Sequence, residues 1–156
     1  MDSHQISQHI SKQFNTELEK IREMVLTMGG IVEQQLANAL DSLVAGDTEL
    51  AARVIQEDQR VNEMEMQIDQ ECSTILAKRQ PAAGDLRLVL TIIKAIADLE
   101  RIGDEARKVA KMAIHLVELQ TFSGSKHQFA AVVHLGNHVR TMLHGSLDAF
   151  ARMNAE

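Results

Sequence analysis

The sequence predicts an all-α fold: a three-helix bundle followed by the first helix of a second such unit. Three observations carry that reading. Apolar residues recur at spacings of three and four through most of the chain, which is the signature of one helical face. The composition favours helix, with many Ala, Leu, Met, Glu and Gln, a single proline, and four phenylalanines as the sole aromatics. The periodic segments are separated by a few short breaks rich in glycine, proline or polar residues. At 156 residues the chain suits one ordinary domain with a real core.

The elements follow in order. After a polar lead, Phe14, Leu18, Ile21, Val25, Met28, Val32, Leu36, Leu40 and Leu43 form one long amphipathic stripe that closes near Gly46. Asp47 is placed to cap the next helix. Its apolar positions Val54, Val61, Ile68 and Ile75 repeat every seven residues, which implies nearly parallel packing axes. Gln80-Pro81-Ala-Ala-Gly84 is a break, and Asp85 is the expected cap of a third helix reaching about Leu119. A polar loop from Thr121 to His127 precedes a fourth helix from about Phe129 to Met153. Helices are therefore expected near 14–45, 48–79, 85–119 and 129–153.

The fourth helix echoes the first at an offset of 107 residues, counted from Gly29 to Gly136. Val32 then matches Val139, Leu36 matches Leu143, and Leu40-Asp41 matches Leu147-Asp148. The expected division is a three-helix repeat over 1–120, then a loop and the first helix of an incomplete second repeat over 121–156. Such a chain reads as a fragment or truncated form of something longer.

Charge and motif exclude several functions. The net charge of -6 and the lack of a Lys/Arg block argue against a nucleic-acid partner. The amino terminus, MDSHQISQHISKQF, lacks the parts of a signal peptide. The longest apolar run, Leu86 to Leu99, is too short and too charged to enter a bilayer. Cys72 is alone, reads as a small buried hydrophobe, and suits a reducing compartment. The expectation is a soluble cytoplasmic protein, able to dock on a membrane protein through partners. No Walker motif, Gly-rich phosphate cradle or nucleophile-base constellation occurs, so no enzyme is expected.

The third helix carries an anomaly. Arg87, Thr91, Lys94, Asp98, Arg101, Glu105 and Lys108 share one solvent face. On the same wheel Glu100 lies about 130° and Asp104 about 90° from the centre of that face, among Val89, Ile93 and Ile96. A carboxylate facing a core must be paired, protonated or bound to a metal. The second helix matches it with a polar stripe opposite its solvent face: Asp58, Asn62, Glu65 and Asp69. Folding these helices as an antiparallel hairpin about Pro81 makes positions whose numbers add to about 163 level. Glu100 and Asp104 then meet Asp58, Asn62 and Glu65.

Two readings of that meeting stand side by side. One is an ion-pair network with Arg101, Arg107 or Lys108. The other is a cation site whose all-oxygen ligands suit magnesium, manganese, calcium or oxidised iron better than structural zinc. No Glu-x-x-His pair occurs, which disfavours a ferritin-like di-iron centre. His134 and His138, at i and i+4 with His144 beyond, have no acidic company and read as surface residues.

Three motifs in order, Asp58-x-x-Val-Asn62-x-x-Glu65-x-x-Ile-Asp69, Gln80-Pro81-Ala-Ala-x-Asp85-Leu-Arg87 and Asp98-Leu-Glu100-Arg-Ile-Gly-Asp104, resemble the PhoU family of phosphate-specific transport accessory proteins. The likeness covers nearly the whole chain. It implies tandem three-helix bundles, dimerisation, and negative regulation of phosphate uptake and of the phosphate-starvation response. The implied partners are the phosphate transporter's ATPase and its sensor histidine kinase, with Asp85, Arg87 and Arg101 toward them. Some members bind metal clusters through a Glu/Asp-x-x-x-Asp motif that corresponds to Glu100 and Asp104, and the cofactor expected here, if any, is a divalent or trivalent metal: iron, zinc, magnesium or manganese. The second repeat's copy of that motif is missing here. The alternative function is a metal-binding or metal-storage bundle built on the carboxylate cluster.

Overall fold

A computed structural model describes residues 3–119 and 127–152, with side chains from residue 12 onward. Four helices account for nearly all of it: α1 (Ser3–Ala45), α2 (Thr48–Arg79), α3 (Ala83–Glu118) and α4 (Ala130–Arg152). The expected loop at 121–126 and the expected helix end at Met153 lie outside the described residues.

α1 is longer than its apolar stripe predicts, beginning at Ser3 rather than near Phe14. Once a helix is nucleated each further residue adds a backbone hydrogen bond, so it can outrun its buried face. Gly46, at φ 65°, lets the chain leave α1 in the left-handed region. Asp47 then caps α2 as expected, its Oδ1 accepting from the Leu50 amide at 2.9 Å. α2 ends on Gln80, which is itself left-handed at φ 45°.

The α3 start corrects one expectation: Asp85 is not the cap. Ala82 occupies that position without a side-chain bond, and its carbonyl already accepts from the Leu86 amide at 2.8 Å. Asp85 falls in the first turn, where a carboxylate still complements the helix dipole.

α1, α2 and α3 pack against one another, and among the described residues α4 packs mainly on α1, with side chains of α3 bordering the groove beside it. Ion pairs tie α1 to α2 along their antiparallel length, Lys20 to Glu71 at 2.7 Å and Glu17 to Arg79 at 2.8 Å. The buried apolar residues divide into two groups. One is built on Ile21, Met28, Val61, Ile68, Ile92 and Ile96; the other, on Leu36, Leu43, Val54, Ala106 and Ala110. Cys72 is fully buried in the first group, as its position implied.

α4 lies antiparallel on α1 through a reciprocal pair of contacts. Leu147 sits where a side chain at Gly29 would be, and Leu40 sits where one at Gly136 would be. Gly29 and Gly136 are offset by the same 107 residues as Leu40 and Leu147, so the contact repeats about a local twofold. Arg22, buried on α1, closes one end: its guanidinium donates to the Phe150 carbonyl at 3.0 Å and lies 5.4 Å over that ring.

Candidate functional site

Between the two apolar groups runs a polar layer, one residue deep on each helix. α1 contributes Gln35, which stands at the core-facing position between Val32 and Ala39 and is fully buried. α2 contributes Asp58, only 5% exposed. α3 contributes Gly103, whose missing side chain makes room: a Cβ there would lie 3.0 Å from Gln35 Oε1 and 3.4 Å from Asp58 Oδ1. The antiparallel α2–α3 pairing expected about Pro81 places these residues level.

The layer is held by graded neutralisation. Gln35 Nε2 donates to Asp58 Oδ1 at 3.1 Å and to the Val54 carbonyl at 3.4 Å. The other Asp58 oxygen takes Arg107 Nε at 3.1 Å. Arg107 also donates through Nη2 to Asp104, whose second oxygen receives Lys108 Nζ at 2.9 Å. Lys108 reaches Glu105 as well, at 2.8 Å. The Arg107 hydrogen bond, then that of Lys108, holds the Asp104 carboxyl below the usual carboxylate range. Gln35 Oε1 is left buried with no hydrogen-bond partner.

The Glu100 charge acts both on Arg107 of this network and on Glu65. Glu65 and Glu100 are both half-buried. Burial first, then the charges of Glu100 and Asp69, push the Glu65 carboxyl up. Asn62 and Asp69 are exposed.

The five expected ligand residues thus occupy three environments: Asp58 and Asp104 joined through Arg107, Glu65 beside Glu100, and Asn62 in solvent. Among the described residues no three His, Cys, Asp or Glu side chains come together as a metal would require. Arg107 and Lys108 already occupy oxygens of Asp58 and Asp104, so the fold as described pairs these carboxylates with cations of its own. His144 pairs with Glu33 at 3.2 Å, and His134 and His138 are exposed.

The expected partner-facing residues are on the surface. Arg87 is exposed in the first turns of α3, Asp85 is half-buried beside it, and Arg101 is exposed and bound to Asp98 at 3.1 Å. Leu86 and Leu90 are exposed alongside them, a patch the motif reading passed over. Gln35 was also missed, although its signal was present: a polar residue at a core position of the α1 stripe. No helix among the described residues is long and apolar enough to cross a membrane.

The sequence and the fold both have counterparts among known proteins. A profile of the PhoU domain matches residues 25–113. The chain is 52% identical over its full length to the phosphate-specific transport system accessory protein PhoU of Escherichia coli K12, covering 63% of that protein. It is 49% identical over 97% of its length to the Pseudomonas putida homologue, covering 58% of it. The crystal structure of PhoU from Pseudomonas aeruginosa superposes with a TM-score of 0.84 at 49% identity, over 91% of this chain and 66% of that one. That of the regulatory protein PhoU from Streptococcus pneumoniae gives 0.75 at 30% identity, over 88% and 63%. The chain therefore spans about three fifths of the curated relatives it matches. In sequence and in fold, it belongs to the PhoU family.

Proposed function

We propose that this chain is a non-enzymatic negative regulator of phosphate uptake and of phosphate-starvation signalling. It works through contact with the phosphate transporter's ATPase and the sensor histidine kinase. The observation that carries this reading is its agreement, over nearly its whole length, with accessory proteins of phosphate-specific transport. Asp85, Arg87, Leu86 and Leu90 support it, because charged and apolar groups together on a rigid helix make a surface suited to a protein partner.

The domain reading follows the same lines. Residues 1–120 form one repeat, and 121–156 supply the loop and first helix of a second. The reciprocal Gly29–Leu147 and Gly136–Leu40 contacts support that division, since they pair equivalent positions of α1 and α4.

The test is complementation. In a bacterium lacking its own PhoU, this chain should restore repression of phosphate-starvation genes in phosphate-rich medium. It should also co-purify with the transporter ATPase or the kinase, and Arg87→Glu with Leu90→Glu should weaken that capture. A folded, expressed chain that leaves those genes derepressed and captures neither partner would overturn the proposal.

A metal-binding reading has one observation in its favour, the raised Glu65 carboxyl beside Glu100. Two half-buried carboxylates that repel can be relieved by a cation or by a proton.

A further inference from the structure

We infer that the cleft between α1 and α4 lined by Glu33, Asn137, Arg140, Thr141 and His144 binds a tetrahedral oxyanion that carries a proton, hydrogen phosphate. The cleft has a volume of about 450 Å³. One helix face supplies most of it, since Asn137, Arg140, Thr141 and His144 stand at i, i+3, i+4 and i+7 on α4. Glu33 closes it from α1. Glu33 and Arg140 are the same position of the repeat, offset by 107 residues. The local twofold between α1 and α4 brings them to one cleft with opposite charge.

These two charges are answered unequally. Both Glu33 oxygens face His144 Nδ1, at 3.2 and 3.3 Å. Arg140 takes part in no ion pair among the described residues, and its Nε is shut from solvent without a hydrogen-bond partner. A guanidinium in that state lacks a countercharge, and an anion in the cleft supplies one. Its planar fork of N–H donors matches two oxygens of a phosphate. With Nδ1 held by Glu33, His144 keeps Nε2 for the ligand's oxygens or its O–H. The exposed Asn137 amide adds further donors.

Glu33 sets the selectivity. A carboxylate beside the site repels an anion that can only accept hydrogen bonds, such as sulfate, yet it accepts one from an anion that still has an O–H. Hydrogen phosphate has that proton. The cleft also stays open when a second repeat is completed. On α1 the counterparts of Asn137 and Thr141 are Gly30 and Gln34, which remain exposed although α2 and α3 cover Val25, Met28, Val32 and Gln35. Helices laid on the matching α4 positions, Val132, Leu135, Val139 and Met142, therefore leave the cleft uncovered. The site lies on α1 and α4, apart from Leu86, Arg87 and Leu90 of α3, so it and the proposed partner surface fail separately under test.

Amide NMR titrations of the whole chain at constant ionic strength test the inference. Sodium phosphate should shift the amides around Asn137, Arg140, Thr141 and His144 and reach saturation. Sodium sulfate should bind about tenfold or more weakly. Glycerol phosphate should do the same at about pH 8, because a monoester with a second pKa of about 6 has lost its proton there. Arg140→Gln should weaken phosphate about tenfold or more while helix content by circular dichroism is unchanged. Glu33→Gln, which keeps the size of the side chain, should bring sulfate to within about threefold of phosphate. That second variant tests the site even where Arg140→Gln loosens α4. No shift at tens of millimolar phosphate would overturn the inference, as would binding that survives Arg140→Gln. So would sulfate or the monoester binding the wild-type chain as well as phosphate does.

Discussion

Arg107 joins Asp58 on α2 to Asp104 on α3, and its side chain is 27% exposed. Asp58 is far less accessible, so removing the guanidinium leaves a carboxylate with only Gln35 to solvate it. Arg107→Ala is expected to lower the unfolding free energy by about 2–4 kcal/mol, the lower end reflecting the water that reaches Arg107. Urea denaturation measures it. A loss within about 0.5 kcal/mol, the range of an ordinary surface substitution, would show that Asp58 does not depend on this arginine. The sequence revealed that carboxylates enter the bundle here, because Glu100 and Asp104 depart from the solvent face. It did not reveal which cation meets them: helical spacing gives a residue's angle about the axis, whereas the choice among Arg101, Arg107 and Lys108 depends on side-chain reach. Arg101 turns to Asp98 on the surface, and Arg107 turns inward.

At the scale of the helix, α4 is held by shape. Leu147 fills the notch at Gly29 and Leu40 the notch at Gly136. A methyl at Gly29 would collide with the Leu147 side chain, so Gly29→Ala should loosen α4 even though alanine is the better helix former. Hydrogen exchange should show faster exchange of the α4 amides, with α2 and α3 unchanged. Leu147→Ala should also loosen α4. The double variant should cost less than the two single ones together, by about 0.5 kcal/mol or more, because each removes the other's clash or purpose. Strict additivity would mean that the two residues do not share a contact. The helices themselves were legible from apolar spacing, and the α2 cap from Asp47. The start of α3 was not, because Asp85 has the chemistry of a cap while Pro81 and Ala82 already set the backbone to enter the helix two residues earlier. The start of α1 was not legible either, since a periodic pattern reports burial and α1 continues past its buried face.

Stability against pH belongs to the whole molecule, and two carboxylates pull it in opposite directions. Asp104 is held below its ordinary value, so its contribution is present above the usual carboxylate range and is lost as pH falls through the lowered value. Glu65 is raised above its ordinary 4.5, so the folded state holds that proton more tightly. Its contribution is complete below that value and is lost as pH rises through the raised one. Glu65→Gln should therefore raise the urea midpoint near neutrality and leave it unchanged in acid, where both side chains are uncharged. Were a cation shared by Glu65 and Glu100, the same substitution would instead lower the midpoint when magnesium, manganese, zinc or iron is present. The two outcomes have opposite sign, so one titration series separates them.

The polar layer has a consequence for how the chain finds its fold. Val54, Val61, Ile68 and Ile75 repeat every seven residues, so α2 could slide along its neighbours by one heptad, about 10 Å, and return an apolar residue to nearly every apolar site. Helices that are apolar and regular are prone to this error, because the misplaced and correct pairings bury similar surface. Asp58 breaks the degeneracy. One heptad in either direction would carry it from Gln35 to the level of Met28 or Ser42 and away from Arg107, stranding a charge in a dry interior. The buried aspartate thus acts as a single cut tooth in a repetitive thread, costly in any position but one.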